Sequence, residues 1–384
     1  MNNFAIFFQI SLKFYLPVIC LIFFKFYNIM TLISSLWMNL AYLNGVFMKG
    51  WKLTEPLKLK EQEITAPSEN NLSKVKITKA LLTLSDLMRY TGEIDTDKTV
   101  LGSYGIGIVS ETDANLFGLE KGKHVYVESY RPCLECYNCK NGEELKCSDL
   151  YTAGEDYDGF LSDFVAVDAN KLFLLPESVS DKDALFIGHI SLAIAVIDKL
   201  DIQKGDYVAI IGANNFGNIL AQLLIYHQAV PIVVSTDDES LQIAKDSGIY
   251  YALGSSDNWV KEVSGITGGR MAKNVVYISD CEIPVAKAFN LASFNAGIAF
   301  TGVANRNNAI SFTQAIKKQL DIHCINSGLG NTSASINLIA NKAVDTSKLK
   351  LDYSTYQKVP ETFENMKKRY ENEDKFFETI VEMI

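Results

Sequence analysis

Four cysteines within residues 133–147 are the residues whose types and spacing most clearly support a specific chemistry. Cys133, Cys136, Cys139 and Cys147 follow the pattern C-x2-C-x2-C-x7-C. The short gaps let thiolates converge on one ion, and four sulfurs at about 2.3 Å satisfy tetrahedral Zn²⁺ with no open position. Two disulfides or an iron–sulfur cluster are the alternatives, and the spacing disfavours both. The pattern predicts one structural zinc, which holds shape and performs no reaction.

A turn between a buried strand and a helix is the second place where the sequence predicts a ligand. Residues 207–213 are apolar, residues 216–228 have helical periodicity and residues 232–234 are apolar again, which predicts a strand–helix–strand unit. The turn between them reads G-x-N-x-x-G where dinucleotide-binding folds have G-x-G-x-x-G. Because N–H groups at a helix start bind anions, the predicted cofactor-binding residues here are Gly212, Asn214, Asn215, Phe216 and Gly217.

Two features of this unit bear on the cofactor. Asn214 stands in place of the middle glycine, so we expect it either to hold a positive φ, which Asn tolerates, or to crowd a bound pyrophosphate. Ser235 and Thr236 end the second strand, where an acid commonly binds the adenosine ribose. Their hydroxyls suit a ribose, while Asp237 and Asp238 would repel a 2′-phosphate, so NAD is preferred to NADP. A Rossmann-like fold that binds no nucleotide is the alternative.

Length and composition indicate a globular chain of two domains or one large one. The chain has 384 residues, of which 48% are hydrophobic and 21% charged, and its net charge is -9. Disordered and fibrous classes are excluded. Nucleic acid is not an expected partner, because binding to phosphates needs clustered positive charge.

Residues 1–47 form a hydrophobic leader with no acid and two cations, Lys13 and Lys25. The charge-free run 26–47 reaches the length of about 20 residues that a membrane-spanning helix needs, although Asn, Ser and Thr dilute it. Three interpretations stay open: translated upstream sequence with the working protein starting at Met48, a membrane anchor, or a helical extension. A membrane is an expected partner only if the leader is real.

The order of several sequence blocks resembles the zinc-type medium-chain alcohol dehydrogenases, in the group of sorbitol and threonine dehydrogenases. The resemblance implies an α/β fold with a GroES-like, β-barrel-type domain and a Rossmann domain with a doubly wound parallel sheet. The GroES-like domain would cover 48–174 with the zinc lobe and be completed by 321–384, and the Rossmann domain would cover 175–320. The matching blocks are 76–90, 101–113, 133–147, 159–175, 184–196, 205–217, 297–303 and 359–366.

The same resemblance implies three ligands for a catalytic zinc, and this sequence departs from all of them. The positions are occupied by Thr83, Ser103 and Ile187. Hydroxyls are poor zinc ligands and isoleucine is none, so we expect no catalytic zinc. Ser85 matches the hydroxyl that bonds the substrate alcohol, while Met88 replaces the His that usually continues the proton relay.

Ser85 and Tyr104 are the predicted catalytic residues. Tyr104 follows Ser103 directly, and a phenol in the pocket can donate a proton or polarise a carbonyl. The competing interpretation is that Tyr104 and Ile187 fill the volume that the metal site left. His189, two residues after Ile187, is interpreted as a structural histidine with its hydrogen bonds satisfied.

Two functions follow from these observations. The first is an NAD(P)-linked, alcohol dehydrogenase-like oxidoreductase that transfers hydride on a small alcohol or carbonyl substrate without a catalytic zinc. The second is a catalytically silent relative that keeps the structural zinc and acts as a binding or interaction protein. In either case the resemblance implies a homo-oligomer, paired through an edge strand at 296–304, and the reduced thiolates imply the cytoplasm.

Overall fold

A computed structural model of the chain describes residues 47–65, 72–112, 118–254, 258–279, 281, 283–302, 312–373 and 376–383. The chain forms two compact units, and the larger one consists of Lys49–Gln62 and Glu69–Ile384. The smaller one, Met1–Met48 with Glu63–Ser68, has only residues 47, 48 and 63–65 described. The interpretations of residues 1–46 therefore lie outside the described residues. No described helix is both long and apolar enough to cross a membrane.

A six-stranded parallel sheet forms one half of the larger unit, in the order β12-β11-β10-β13-β14-β15. Its strands are β10 (Tyr207–Ile211), β11 (Val230–Val234), β12 (Tyr251–Leu253), β13 (Ala272–Ile278), β14 (Ala292–Thr301) and β15 (Asp321–Cys324). The helices of this half are α4 (Ile187–Lys199), α5 (Asn215–Tyr226), α6 (Asp238–Asp246), α7 (Trp259–Ile266), α8 (Ala286–Leu291), α9 (Phe312–Lys318) and α10 (Thr332–Ala340).

Apolar residues fix the strands of this sheet because both of its faces are covered. Ile210 and Val276 pack in a core with residues of α4 and α5. Their chain neighbours Ile211 and Val275 point the other way and pack with residues of α7 and α8. Parallel strands buried on both faces read as continuous apolar runs, which is why the sequence predicted them. The predicted doubly wound α/β class is confirmed.

The connection order reverses between β10 and β13, which pair directly in parallel, with Val208 opposite Asn274. Such a switch point opens a crevice at the carboxyl ends of the strands. One expectation about this sheet is wrong. The strand around 296–304 was expected at the edge, but β14 lies between β13 and β15, so β15 is the edge strand of the described sheet.

A seven-stranded, mostly antiparallel sheet forms the other half. Its order is β16-β17-β3-β4-β5-β9, and β8 also pairs with β3. The strands are β3 (Leu72–Leu82), β4 (Tyr104–Glu111), β5 (His124–Val127), β8 (Phe164–Asp168), β9 (Leu172–Leu174), β16 (Leu351–Thr355) and β17 (Glu378–Glu382). Ile380 near the end of the chain lies opposite Leu81. The exact domain boundaries at 174 and 320 stay a prediction.

Short elements complete the described chain. Two small sheets pair β1 (Phe47–Glu55) with β2 (Lys58–Thr65) and β6 (Tyr130–Arg131) with β7 (Tyr151–Thr152). The remaining α-helices are α1 (Leu84–Thr91), α2 (Tyr137–Lys140), α3 (Asp181–Ala184) and α11 (Val359–Glu373). Short 3₁₀ turns cover Glu144–Lys146, Ala169–Lys171 and Tyr356–Lys358.

Candidate active site

A cleft of about 980 Å³ runs along the carboxyl ends of the parallel strands and reaches the antiparallel half. From the strand ends it is lined by Gly212, Ser235, Ile278 and Thr301. From the other half it is lined by Ser85, Arg89, Tyr104 and Glu155. Both predicted catalytic residues and all of the predicted cofactor-binding residues except Gly217 therefore line the same cleft.

The first turn of α5 shows how the altered fingerprint folds. Gly212 has φ 113°, a left-handed conformation that glycine adopts without strain. Gly217 packs so closely that a Cβ there would lie 2.3 Å from the Gly212 carbonyl oxygen. Asn214 has φ −64° and caps the helix, its side-chain oxygen accepting the Gly217 N–H at 2.9 Å. The expected positive φ of Asn214 is wrong, because the side chain serves as an N-cap instead.

Asn215 ties the start of α5 to the returning chain. Its amide Nδ2 donates to the Lys350 carbonyl at 2.9 Å and to the Glu378 carboxylate at 2.8 Å. Its Oδ1 accepts the Lys350 N–H at 3.0 Å. A carboxylate thus lies close to the helix start, where an anion would otherwise be favoured.

The end of β11 places hydroxyls and acids at the cleft. Ser235 is buried, and its Oγ accepts the Asp237 N–H at 3.1 Å. Thr236 is exposed. Asp237 caps α6 by accepting the Glu239 N–H at 3.2 Å. All of these residues line the cleft, so two hydroxyls and a fixed carboxylate face any ligand there.

Tyr104 occupies a space that only a glycine leaves open. A Cβ on Gly188, in the first turn of α4, would lie 2.2 Å from the Tyr104 ring. Tyr130 lines the cleft with Tyr104, and its hydroxyl donates to the Asn326 carbonyl at 3.1 Å. Burial raises the pKa of Tyr104 well above its usual value of 10.0, so the phenol keeps its proton at neutral pH.

The four-cysteine lobe lies apart from the cleft lining. The sulfurs of Cys133, Cys136, Cys139 and Cys147 lie within 4.8 Å of one another. The Cys133 N–H donates to the Cys147 sulfur at 3.2 Å and the Cys136 N–H to the Cys133 sulfur at 3.3 Å. Such bonds stabilise thiolates. Within the described residues, this is the one converging group of metal-binding side chains, and it could hold a metal ion.

Comparison with known proteins extends the likeness over most of the chain. Residues 69–177 match the family described as the alcohol dehydrogenase GroES-like domain. An uncharacterised zinc-type alcohol dehydrogenase-like protein of Haemophilus influenzae is 24% identical, over 83% of this chain and 95% of that protein. A sorbitol dehydrogenase of Halalkalibacterium halodurans is 28% identical, over 65% of this chain and 74% of that protein. Over these lengths the chain is similar to zinc-type alcohol dehydrogenase-like proteins.

A solved structure from Escherichia coli CFT073 shares the fold of this alcohol dehydrogenase-like chain. It is the RspB alcohol dehydrogenase complexed with NADH, with a TM-score of 0.76 and 22% identity over 88% of this chain and 99% of that one. Several of the relatives are dehydrogenases by name, so the alternative of a catalytically silent binding protein is not favoured.

The positions at which the family resemblance implies zinc ligands hold no metal-binding set in this alcohol dehydrogenase-like chain. Thr83 caps α1, and its hydroxyl donates to Asp86 at 3.1 Å and to Ser103 at 3.4 Å. Ile187 is fully buried in the apolar core. Two neutral hydroxyls and an aliphatic side chain do not fit Zn²⁺.

Sequence reasoning missed two hydrogen-bonded side-chain pairs at the cleft of this chain. His189 lies 2.6 Å from the Glu378 carboxylate through Nε2, and its ring centroid lies 5.4 Å from that of Tyr104. Its Nδ1 is buried with no partner among the described atoms, so the predicted satisfied histidine is only half satisfied. Arg89 donates to Glu155 at 2.6 Å. Both partners come from distant parts of the chain, and no local signal pairs them.

Proposed function

We propose that the chain is an oxidoreductase that transfers hydride between a nicotinamide dinucleotide and a small alcohol or carbonyl substrate, without a catalytic metal. The observation that carries the proposal is the single cleft that joins the carboxyl ends of β10, β11, β13 and β14 to the hydroxyls of Ser85 and Tyr104. A dinucleotide site and proton-donating groups would then face each other in one space.

The residues at the switch point fit a dinucleotide. Gly217 packs against the Gly212 carbonyl, where a Cβ has no room, and so keeps the close contact between helix and strand that the third glycine of a dinucleotide-binding turn provides. Asn215 and Phe216 begin the helix beside it. When bound, a nicotinamide dinucleotide supplies the hydride chemistry that no amino acid side chain provides. The residues that we assign to binding it are Gly212, Asn214, Asn215, Phe216, Gly217, Ser235 and Thr236.

We assign NAD rather than NADP as the cofactor. The Asp237 carboxylate is held by the Glu239 N–H and by the Ser240 hydroxyl at 2.5 Å, at the end of β11. A fixed negative charge accepts hydrogen bonds from ribose hydroxyls and repels a 2′-phosphate.

Tyr104 and Ser85 handle the substrate oxygen in this proposal. Burial keeps the Tyr104 phenol protonated, and close packing of its ring against Gly188 holds the side chain at the cleft. Ser85, in the first turn of α1, is half-buried and lines the same space. A phenol that retains its proton can donate to a carbonyl oxygen as that oxygen gains charge.

The surroundings of the protein complete the proposal. Cys133, Cys136, Cys139 and Cys147 would hold one structural zinc per chain, which needs reduced thiols and therefore a reducing compartment such as the cytoplasm. We also keep the prediction of a homo-oligomer.

The test of the proposed function is direct binding followed by turnover. We expect the purified full chain to quench or shift NADH fluorescence with a Kd below about 100 µM and to bind NADPH more weakly. Polyols, threonine and their oxidised forms are the first substrates to assay. Tyr104→Phe should retain NADH affinity and lose turnover by about 100-fold. Absence of NADH binding at about 1 mM would remove the proposal, and unchanged turnover of Tyr104→Phe would remove the role of Tyr104.

A further inference from the structure

Arg89 places a buried positive charge at the inner end of the cleft. Its side chain is 4% exposed, and it lines the cleft from the last turn of α1. Nη1 donates to the Ser103 hydroxyl at 3.0 Å, and Nη2 donates to the Glu155 carboxylate at 2.6 Å. The guanidinium also lies 3.6 Å from the Asp86 carboxylate. A guanidinium does not lose its proton in proteins, so this charge is permanent.

Arg89 has more donors than these contacts use. A guanidinium carries five N–H donors, and Ser103 and Glu155 take one each. The buried Nε has no partner among the described atoms. An unpartnered buried donor on a charged group costs stability, and such a cost is commonly retained where a ligand completes the bonding.

The two carboxylates around Arg89 are held differently. Asp86 is fully buried and accepts the N–H groups of Thr83 at 2.8 Å and Gly102 at 3.0 Å. Its negative charge is therefore fixed inside the protein. Glu155 is 36% exposed and faces the cleft, so it can move with a ligand. Two negative charges surround one positive charge.

We propose that Arg89 is the fixed cation of this cleft. Its positive charge excludes a divalent metal ion from the position beside Thr83 and Ser103, and its remaining N–H groups donate hydrogen bonds to the oxygen of an uncharged substrate. Thr83 and Ser103, whose hydroxyls lie 3.4 Å apart, are two of the three positions where the family resemblance implies metal ligands, and Ser103 contacts the guanidinium directly. A metal ion there would meet a permanent positive charge within hydrogen-bonding distance of its ligands.

The charge balance decides the substrate class, a part of the inference that rests on the proposed function. Because Asp86 and Glu155 outweigh Arg89 by one charge, a carboxylate or phosphate on the substrate would be repelled at this end of the cleft. A hydroxyl or carbonyl oxygen accepts a hydrogen bond from the guanidinium without that penalty. The reacting end of the substrate is therefore a neutral alcohol or carbonyl.

Zinc content tests the exclusion of metal without any cofactor or activity. In Thr83→Cys/Ser103→His the chain gains a thiolate and an imidazole beside the Glu155 carboxylate, three ligand types that suit Zn²⁺. With Arg89 present, we expect zinc per chain to equal that of the wild type. Adding Arg89→Ala should raise it by about one. A gain of zinc in the wild type at excess zinc or in the double variant, or no gain in the triple variant, would overturn the exclusion.

A charge-conserving variant keeps this test decisive if the triple variant does not fold. Thr83→Cys/Ser103→His with Arg89→Lys retains the positive charge, so zinc per chain should again equal the wild-type value. A gain of one zinc in that folded variant would contradict the inference. Thermal unfolding followed by circular dichroism verifies the fold of each variant.

The part of the proposal that concerns the substrate is tested separately, by steady-state kinetics, once NADH binding is established. Arg89→Gln should lower kcat/KM for a neutral substrate by about 100-fold while the Kd for NADH stays within about twofold, and Arg89→Lys should recover part of the loss. Wild-type kcat/KM should favour the neutral substrate over its carboxylate-bearing analogue. Equal kcat/KM for the two substrates, or no loss in Arg89→Gln, would overturn this part while leaving the metal result intact.

Discussion

The cysteine lobe and the Arg89 end of the cleft are each arranged for a positive charge. The lobe offers ligands to a metal ion, whereas the cleft contains a charged side chain. In the lobe, the sulfurs of four cysteines lie within 4.8 Å of one another and form a ligand set made only of sulfur. At the cleft, the Ser103 hydroxyl, which also contacts Thr83, accepts a hydrogen bond from a guanidinium that the chain itself supplies. This difference is the basis of our proposal that the chain keeps a metal where it braces the fold and replaces it where a substrate binds.

The largest loss of zinc and of stability is expected from a substitution in the cysteine lobe. Cys139→Ser removes the buried thiol of the cluster, so we expect zinc per chain to fall by about one and Tm to fall by at least about 5 °C. Metal analysis and calorimetry measure both. Cys324→Ser is the matched control, because Cys324 is exposed and outside the cluster, and it should change neither. A Cys139→Ser chain with wild-type zinc content would refute a structural metal in the lobe.

Gly188→Ala tests the packing of Tyr104 in the cleft. The new Cβ would lie 2.2 Å from the Tyr104 ring, so the ring must move, and we expect a loss of about 1–3 kcal/mol of stability together with loss of turnover. Gly265→Ala is the control, because it also lies inside a helix but has open space at Cβ. It should stabilise the chain by up to about 1 kcal/mol. Equal unfolding free energies for the two variants would argue against close packing of Tyr104.

The pH dependence of kcat tests the role of the Tyr104 phenol. Burial raises the pKa of Tyr104 above 10.0, so its protonated form persists through the neutral and mildly alkaline range. For turnover in the direction of carbonyl reduction, we expect kcat to show no loss assignable to Tyr104 between pH 7 and about 9.5. Comparison of the wild type with Tyr104→Phe isolates this contribution. A step in the ratio of the two kcat values near pH 8 would mean that the phenol ionises earlier.

The smallest expected effect concerns the cap of α5. Asn214→Gly releases the Gly217 N–H for a phosphate, and we expect NADH affinity to rise about threefold to tenfold. Asn214→Asp keeps the cap but adds a negative charge, so NADH affinity should fall. Isothermal titration of both variants gives the sign. Weaker NADH binding by Asn214→Gly would show that the cap shapes the site rather than competes with the cofactor.

Local sequence patterns predicted the parts of the molecule that depend on local rules. The apolar strands β10 and β11 and the four-cysteine spacing were legible because burial and metal geometry constrain neighbouring residues. The Asn214 conformation was missed because two conformations suit the same residue, and the choice depends on the Gly217 N–H three residues later. The edge position was assigned to the wrong strand because an apolar run marks a strand but not its place in the order of the sheet.

The cleft residues that sequence reasoning missed depend on long-range contacts. Arg89 and Glu155 meet within the antiparallel half, and His189 and Glu378 meet across the two halves, so neither pair is close in sequence. In sequence, a buried arginine of an amphipathic helix cannot be distinguished from one on the solvent-exposed face. The spacing of apolar residues shows which face packs in the core, but it does not show which charged residues are also buried. Only the placement of α1 against the Glu155 loop identifies it.

The central claim is that the chain holds a metal in the lobe and a guanidinium, not a metal, in the cleft. Its most direct measurement is zinc per chain of the purified full-length protein after saturation with zinc and removal of loosely bound ions, made on the wild type and on Cys139→Ser. We expect about one zinc in the wild type and about none in the variant. Two zincs in the wild type, or one remaining in Cys139→Ser, would contradict the account.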